Sequence, residues 1–212
     1  LETIQGGAGF ILPDKGYLKK VKKRCEEVGS LLILDEIQPG IGRTGKLFAF
    51  MDHDVIPDIL VIGKGLGGGL PVGAFTADKK YMAQLTEAPS LGHITTFGGN
   101  PVVAAACRAT LQTIIKSSLM EDTLKKEKLF KNLLVHPKIK AIRGKGLMLA
   151  LIMNDAKTAQ TLVKNCINEG VLLFFLLFEP TAVRISPPLT ISEKQIKKAC
   201  GTIIKVLNQM EC

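Results

Sequence analysis

The residues best suited to chemistry come in two apolar runs, each closed by a functional group. Ile59-Leu60-Val61-Ile62 leads through Gly63 to a single lysine, Lys64, and then to Gly65, Gly67, Gly68 and Gly69. An amine among apolar and glycine neighbours is expected to lose hydration, which disfavours its ammonium form and frees a nucleophilic nitrogen. Successive glycines let a backbone pass close to a ligand. A lone lysine is ordinarily a solvated surface cation, so context must carry the reading. Part of that context is the second run, Leu31-Leu32-Ile33-Leu34, which stops on Asp35-Glu36. Paired carboxylates favour Mg²⁺ or Mn²⁺, but neighbouring residues on a strand face opposite ways and share one ion poorly, so no metal is expected. A third group is Thr95-Thr96, beside Gly98-Gly99 and ahead of Asn100-Pro101. Hydroxyls at a helix start suit a phosphate or another anion, or more simply a helix cap.

These groups must be held by elements whose periodicity the sequence carries. Four-residue apolar runs bounded by turn signals predict buried strands. Lys64 and Asp35 then fall at strand ends, where doubly wound sheets present their chemistry. Leu1–Leu12 predicts a strand end running into a glycine turn. A helix from Pro13-Asp14 carries Tyr17, Leu18, Val21 and Cys25 and ends near Gly29. The loop Gln38–Gly45 is too rich in glycine for helix or strand. A third strand over Val72–Ala77, a short helix from Asp78 and an alanine-rich helix over Val102–Ile115, with Cys107 as a small core residue, complete a mostly parallel α/β sheet.

From Ser117 the character changes. An amphipathic helix to Leu134, two strands within Ile139–Met153, a helix over Ala156–Asn168 closed by Gly170, a buried strand over Val171–Phe178, another from Ala182 interrupted by Pro187-Pro188, and a helix capped by Ser192 predict a smaller α+β domain. The expected boundaries are 1–116 and 117–212.

Composition narrows the function. At 46% hydrophobic and 22% charged, the 212 residues are globular in type. Cys25, Cys107, Cys166, Cys200 and Cys212 form no CxxC or Cys/His cluster, so neither a zinc site nor a disulfide framework is expected, and a reducing, cytoplasmic setting fits. The net charge of +9 admits nucleic acid. Its densest run, Lys19-Lys20-Val21-Lys22-Lys23-Arg24, spreads around a helix without interleaved aromatics, which predicts a solvated face and no nucleic-acid partner. The longest apolar run, Val171–Phe178, is too short to cross a bilayer, and no membrane association is expected. The opening on Leu1 reads as the middle of an element, so a fragment is expected, with no signal peptide in view.

In order along the chain, LILDEIQPGIGRTG, VIGKGLGGGLPVGAF, TTFGGNP and VRISPPLTI resemble the class III pyridoxal-phosphate aminotransferases, of acetylornithine, ornithine and 4-aminobutyrate type. The resemblance covers essentially the whole chain and implies fold type I architecture. It implies an amino group moved from an amino acid or ω-amine to a 2-oxo acid, by a homodimer with shared sites. Lys64 matches the lysine that forms the Schiff base with pyridoxal 5′-phosphate and then shuttles a proton. Asp35 matches the aspartate facing the pyridine nitrogen, and Gln38 a donor near the phenolic oxygen. Thr96 matches the threonine reaching the phosphate of the neighbouring subunit's cofactor, with Thr95 beside the substrate. Arg184 matches the arginine that grips a substrate carboxylate, a task for its planar fork. A mutase, a decarboxylase or a truncated non-catalytic remnant are the alternative readings. Two departures stand out. Gly7 replaces a glutamate that in many members can neutralise the arginine, and the family's earlier phosphate-gripping turn and ring-stacking aromatic are absent from the sequence. The second departure predicts weak cofactor binding by this chain alone and an apolar sheet face or edge left exposed.

Overall fold

The two apolar runs pair side by side. In the computed structural model, which describes residues 1–87, 89–90 and 92–210, β1 (Ile33–Asp35) runs parallel to β2 (Ile59–Gly63), with Asp35 opposite Val61. Cys212 lies outside the described residues. The segment between these strands is long enough for the crossover that a parallel pair needs. The glycine-rich link from β2 to β3 (Gly73–Ala77) is shorter, and β3 returns antiparallel, with Gly63 opposite Gly73. The sheet order β1-β2-β3 is therefore a parallel pair with an antiparallel edge. Glu2 adds a parallel bridge beside Asp35.

The chain divides into two compact units. The first, Leu1–Thr3, Pro13–Ile41 and Lys46–Ser117, contains this sheet. Helix α1 (Tyr17–Val28) ends on Gly29 and buries Leu18 against Leu32, Leu34 and Val55. Its basic run is not wholly solvated. Lys22 Nζ lies 2.9 Å from both Asp58 oxygens, and Asp58 Oδ2 also accepts from Leu32 N at 2.7 Å, tying helix to strand. The short α2 (Lys79–Met82) is capped by Asp78. Helix α3 (Pro101–Lys116) has Asn100 Oδ1 accepting from Val102 N and Val103 N. Of its side chains only Ile114 is buried, so Cys107 is half-exposed rather than a core residue.

The second unit comprises Ile4–Leu12, Gly42–Gly45 and Ser118–Cys212. Helix α4 (Leu119–Leu133) leads to the hairpin β4 (Ile139–Lys145) and β5 (Met148–Met153). Then come α5 (Ala156–Asn168), β6 (Phe174–Phe175), β7 (Ala182–Ile185) and α6 (Glu193–Gln209). The strands form an antiparallel sheet in the order β4-β5-β7-β6. All six residues of β5 are buried, because it is an inner strand and the helices supply Phe130, Leu162, Ile196 and Ile203 to the same core. Ser192 and Gln195 form a reciprocal capping box that starts α6. Burial pushes the Cys166 thiol up to about 11 and Cys200 up to about 12, as expected of inert core residues.

The predicted buried strand over Val171–Phe178 is not what forms. Only Phe174–Phe175 pair, at the sheet's edge, and Leu172, Leu177 and Phe178 are exposed while Leu173 and Leu176 point inward. An edge strand has one partner and two open sides, which an all-apolar run does not reveal. Among the described residues no helix is long and apolar enough to cross a membrane.

Candidate active site

Because β1 and β2 are adjacent and parallel, their C-terminal ends open on the same edge of the sheet. Asp35 is the last residue of β1, and Lys64 follows the last residue of β2. Lys64 lies three positions beyond Val61, the residue opposite Asp35, so roughly 10 Å further along at strand rise. Strict alternation along β2 would turn Lys64 to the face opposite Asp35. Its backbone breaks that alternation. At φ 43° Lys64 is left-handed, an unfavourable state for a residue with a Cβ, and it opens a short 3₁₀ turn through Gly67. Such strain persists where the surrounding structure imposes it, and it concentrates at functional positions. Contrary to the expected dehydration, Lys64 is exposed, since the glycines after it have no side chains to cover it.

The acid pair Asp35-Glu36 divides as strand geometry requires. Asp35 is half-buried, and its Oδ1 accepts from Ile37 N at 2.9 Å, which fixes the carboxylate at the edge. Glu36 turns inward and is fully buried. It accepts from Thr3 Oγ1 at 2.6 Å and from Ala49 N and Phe50 N at 2.9 Å each. Burial raises its carboxyl above the usual range, and these three bonds oppose the rise. Glu36 is therefore a clamp joining the first residues to the 3₁₀ turn Ala49–Asp52, a role that the sequence pattern did not signal. Gln38 follows in the half-buried turn after β1. Ile41, nearly fully buried, is also left-handed at φ 55° and sits beside Gly65, so a second strained residue abuts the lysine turn.

Thr95 and Thr96 are exposed in the turn before α3, where Thr95 O accepts from Gly98 N at 3.2 Å. Thr95, Gly98, Gly99 and Asn100 line a groove of about 500 Å³ with Pro71, Val72 and Gly73. The first unit thus holds Lys64, Asp35, Gln38, Thr95 and Thr96, and the second holds Arg184 on β7. Arg184 is half-buried, with its guanidinium carbon 5.2 Å from the ring centre of Phe174, its cross-strand partner. Gly7 donates no side chain at all. Its carbonyl accepts from Phe178 N at 2.9 Å, and a Cβ there would stand 2.8 Å from the Phe178 ring. A glutamate at this position would have to displace that ring.

An amine and a carboxylate at one edge of a parallel pair, with an amide and hydroxyls in the turns of the same unit, can supply a nucleophile, a counter-charge and hydrogen bonds to a ligand. The two-sheet α/β architecture is that of a fold type I pyridoxal-phosphate transferase, part of its large domain with a smaller C-terminal α+β region. The chain belongs to the class-III aminotransferase family, whose model matches residues 1–207. It is 39% identical to the acetylornithine aminotransferase of Haemophilus ducreyi over 210 residues, which is 99% of this chain and 52% of that enzyme. Among solved structures it matches the acetylornithine aminotransferase of Elizabethkingia anophelis with a TM-score of 0.89 and 37% identity, over 99% of this chain and 53% of that one. The ornithine δ-aminotransferase of Plasmodium falciparum matches with a TM-score of 0.88 and 32% identity, over 98% and 53% respectively. The chain spans about half the length of the relatives it matches.

Proposed function

We propose that this chain is the C-terminal part of an aminotransferase that moves an amino group from an amino acid or ω-amine to a 2-oxo acid, using pyridoxal 5′-phosphate. In this reading residues 1–116 belong to the cofactor-binding domain and 117–212 form the small domain. The observation that carries it is the pairing of β1 with β2, which brings Asp35 and Lys64 to the same sheet edge in a chain of this family.

The cofactor supplies an electron-withdrawing ring that stores the electron pair left when a bond at the substrate's Cα breaks. Lys64 would hold the cofactor through Nζ, and the same amine, when free, would carry a proton as a general base. The left-handed backbone at Lys64 supports this role because it frees the side chain from the alternation of the strand. Asp35, steadied through Oδ1 by Ile37 N–H, is the counter-charge for the ring nitrogen and favours its protonated form. Gln38 donates to the phenolic oxygen. Thr96 binds the phosphate across a homodimer interface, Thr95 lies against substrate, and Arg184 grips a substrate carboxylate. The setting is a reducing, cytoplasmic one.

The test, made on the full-length protein because this chain alone is expected to bind cofactor weakly, is cofactor titration followed by borohydride reduction and peptide mapping. Covalent label on Lys64, lost in Lys64→Ala, is the expected result. Release of a 2-oxo acid from an amino donor identifies transamination, and a decarboxylated or rearranged product identifies another reaction of this fold. Label on a different lysine, or saturable binding unchanged by Lys64→Ala, overturns the assignment.

A further inference from the structure

Arg43 lies in the loop after β1, within the segment Gly42–Gly45 that belongs to the second unit. It is partly buried, and burial lowers its pKa from the ordinary arginine value. No carboxylate among the described residues pairs with it; its guanidinium is held by main-chain oxygens alone. Nη1 donates to Leu147 O at 3.3 Å and, over a shorter distance, to Pro187 O. The Arg43 carbonyl in turn accepts from Leu147 N at 2.9 Å.

The positions of those two carbonyls give the contact its meaning. Leu147 lies in the β4–β5 turn, and Pro187 lies just beyond β7, three residues after Arg184. Strands β5 and β7 are neighbours whose last paired residues at this end are Leu149 and Ile185. Beyond Ile185 the ladder cannot continue through Pro187 and Pro188, which have no N–H to donate. Arg43 supplies the missing rung, since the two N–H donors of one nitrogen, Nη1, reach a carbonyl on each side of the gap. The loop can come this close only because residue 146 is glycine. A Cβ on Gly146, already at φ 61°, would stand 2.5 Å from Arg43 O and 2.7 Å from Thr44 Cα.

We infer that Arg43 is a positioning residue for Arg184: by clipping the end of β7 to the β4–β5 turn it fixes where the Arg184 guanidinium stands, and so the affinity for a substrate carboxylate. This rests on the reading of Arg184 as the carboxylate-binding residue, and the experiment separates the two. In ¹⁵N-labelled chain the Arg184 Nε–Hε signal, shifted by the Phe174 ring, is followed without ligand and during titration with glutarate. Arg43→Met should move this signal toward its unstacked position and raise the glutarate Kd about tenfold, with the fold retained by circular dichroism. Arg43→Lys should recover only part of either change, because its ammonium ends one bond nearer the backbone than Nη1 and is more strongly hydrated. In the unsubstituted chain, saturating glutarate should slow exchange of the Arg43 Nη protons, since coupling between two sites is reciprocal. Unchanged Arg43 exchange at saturation overturns the inference however the variants fold, as does an unmoved Arg184 signal in a folded variant. Glutarate binding that survives Arg184→Gln, or is absent from the unsubstituted chain, overturns instead the role given to Arg184, and the ligand-free signal still tests the clip.

Discussion

Helices α3 and α6 are almost equal in length, sixteen and seventeen residues, yet α3 buries one side chain, Ile114, and α6 buries five. The contrast runs against their composition. Helix α6 alternates lysines with its buried Ile196, Cys200, Ile203, Val206 and Leu207, the pattern of a helix with one face on a core. Helix α3 is apolar almost all round, from Val102 through Ala104, Ala105 and Ala106 to Ile114-Ile115, which is the pattern of a buried helix. Its Val102 is 67% exposed and Ile115 57%. The lesson is that the two units satisfy their sequences to different degrees. The second closes a core around β5. The first positions the candidate lysine and aspartate on a sheet whose β3 shows Phe75 to solvent.

The largest loss of stability is expected from damage to the core of the second unit. Leu151, in the middle of β5, is fully buried. Leu151→Ala should cost about 3–4 kcal/mol, the lost transfer free energy plus the cavity left behind. Denaturant unfolding monitored on the second unit checks it, and a loss below about 1 kcal/mol would show that the core is looser than its burial implies.

In the first unit the largest expected effect comes from a polar clamp, not from apolar packing. Glu36→Gln keeps the shape but offers only one acceptor oxygen to three donors, so a loss of about 1–3 kcal/mol is expected. The pH dependence sharpens the test. Burial holds the folded carboxyl above its ordinary value near 4.5, so the folded state keeps the proton to higher pH than the unfolded chain does. Stability from this group is fully present below that ordinary value and is lost as pH rises through the raised one. Thermal melts of the parent should show this decline and melts of Glu36→Gln should lack it.

Asp58 makes the opposite case on the same unit. Burial alone would raise its carboxyl, but the hydrogen bonds from Lys22 and Leu32 N outweigh it and hold the pKa below the ordinary 3.8. Its contribution is present above that value and is lost as pH falls through the lowered one. Asp58→Asn should therefore cost about 1 kcal/mol near neutrality, limited by solvent screening, and nothing in strong acid. A loss that persists at low pH would mean that the Asp58–Leu32 bond matters more than the ion pair with Lys22.

How much of this was legible in the sequence follows from what each signal encodes. Strand ends at Asp35 and just before Lys64, the caps at Asn100 and Ser192, the helix start at Asp78 and the Gly29 helix stop are local, set by residues within a few positions, and the structure has them. Exposure is not local. Val171–Phe178 reads as buried because every residue is apolar, but its place at the sheet edge depends on β7, later in the chain. Cys107 fails in the same way, since nothing within α3 says what covers it. Glu36 and Arg43 were illegible for a further reason. Their partners lie 13, 14 and 33 residues away for Glu36, and 104 and 144 for Arg43, beyond the reach of any periodicity.

The smallest expected effect on stability falls on the exposed face of α3. If the apolar surface of α3 packs against nothing within the chain, polar substitution there should leave folding almost untouched. Val102 occupies the second position of the helix, after Pro101, where propensity matters least and serine is well tolerated near the cap. Val102→Ser should shift unfolding free energy by less than about 0.5 kcal/mol, as for surface sites generally. Its effect should fall on association instead, because an exposed apolar side chain favours self-contact. Light scattering at rising concentration should therefore show less aggregation for Val102→Ser than for the parent, with matching melting curves. A melting temperature that drops by several degrees would show that Val102 is packed within the first unit, and the contrast between α3 and α6 would then be one of degree rather than kind.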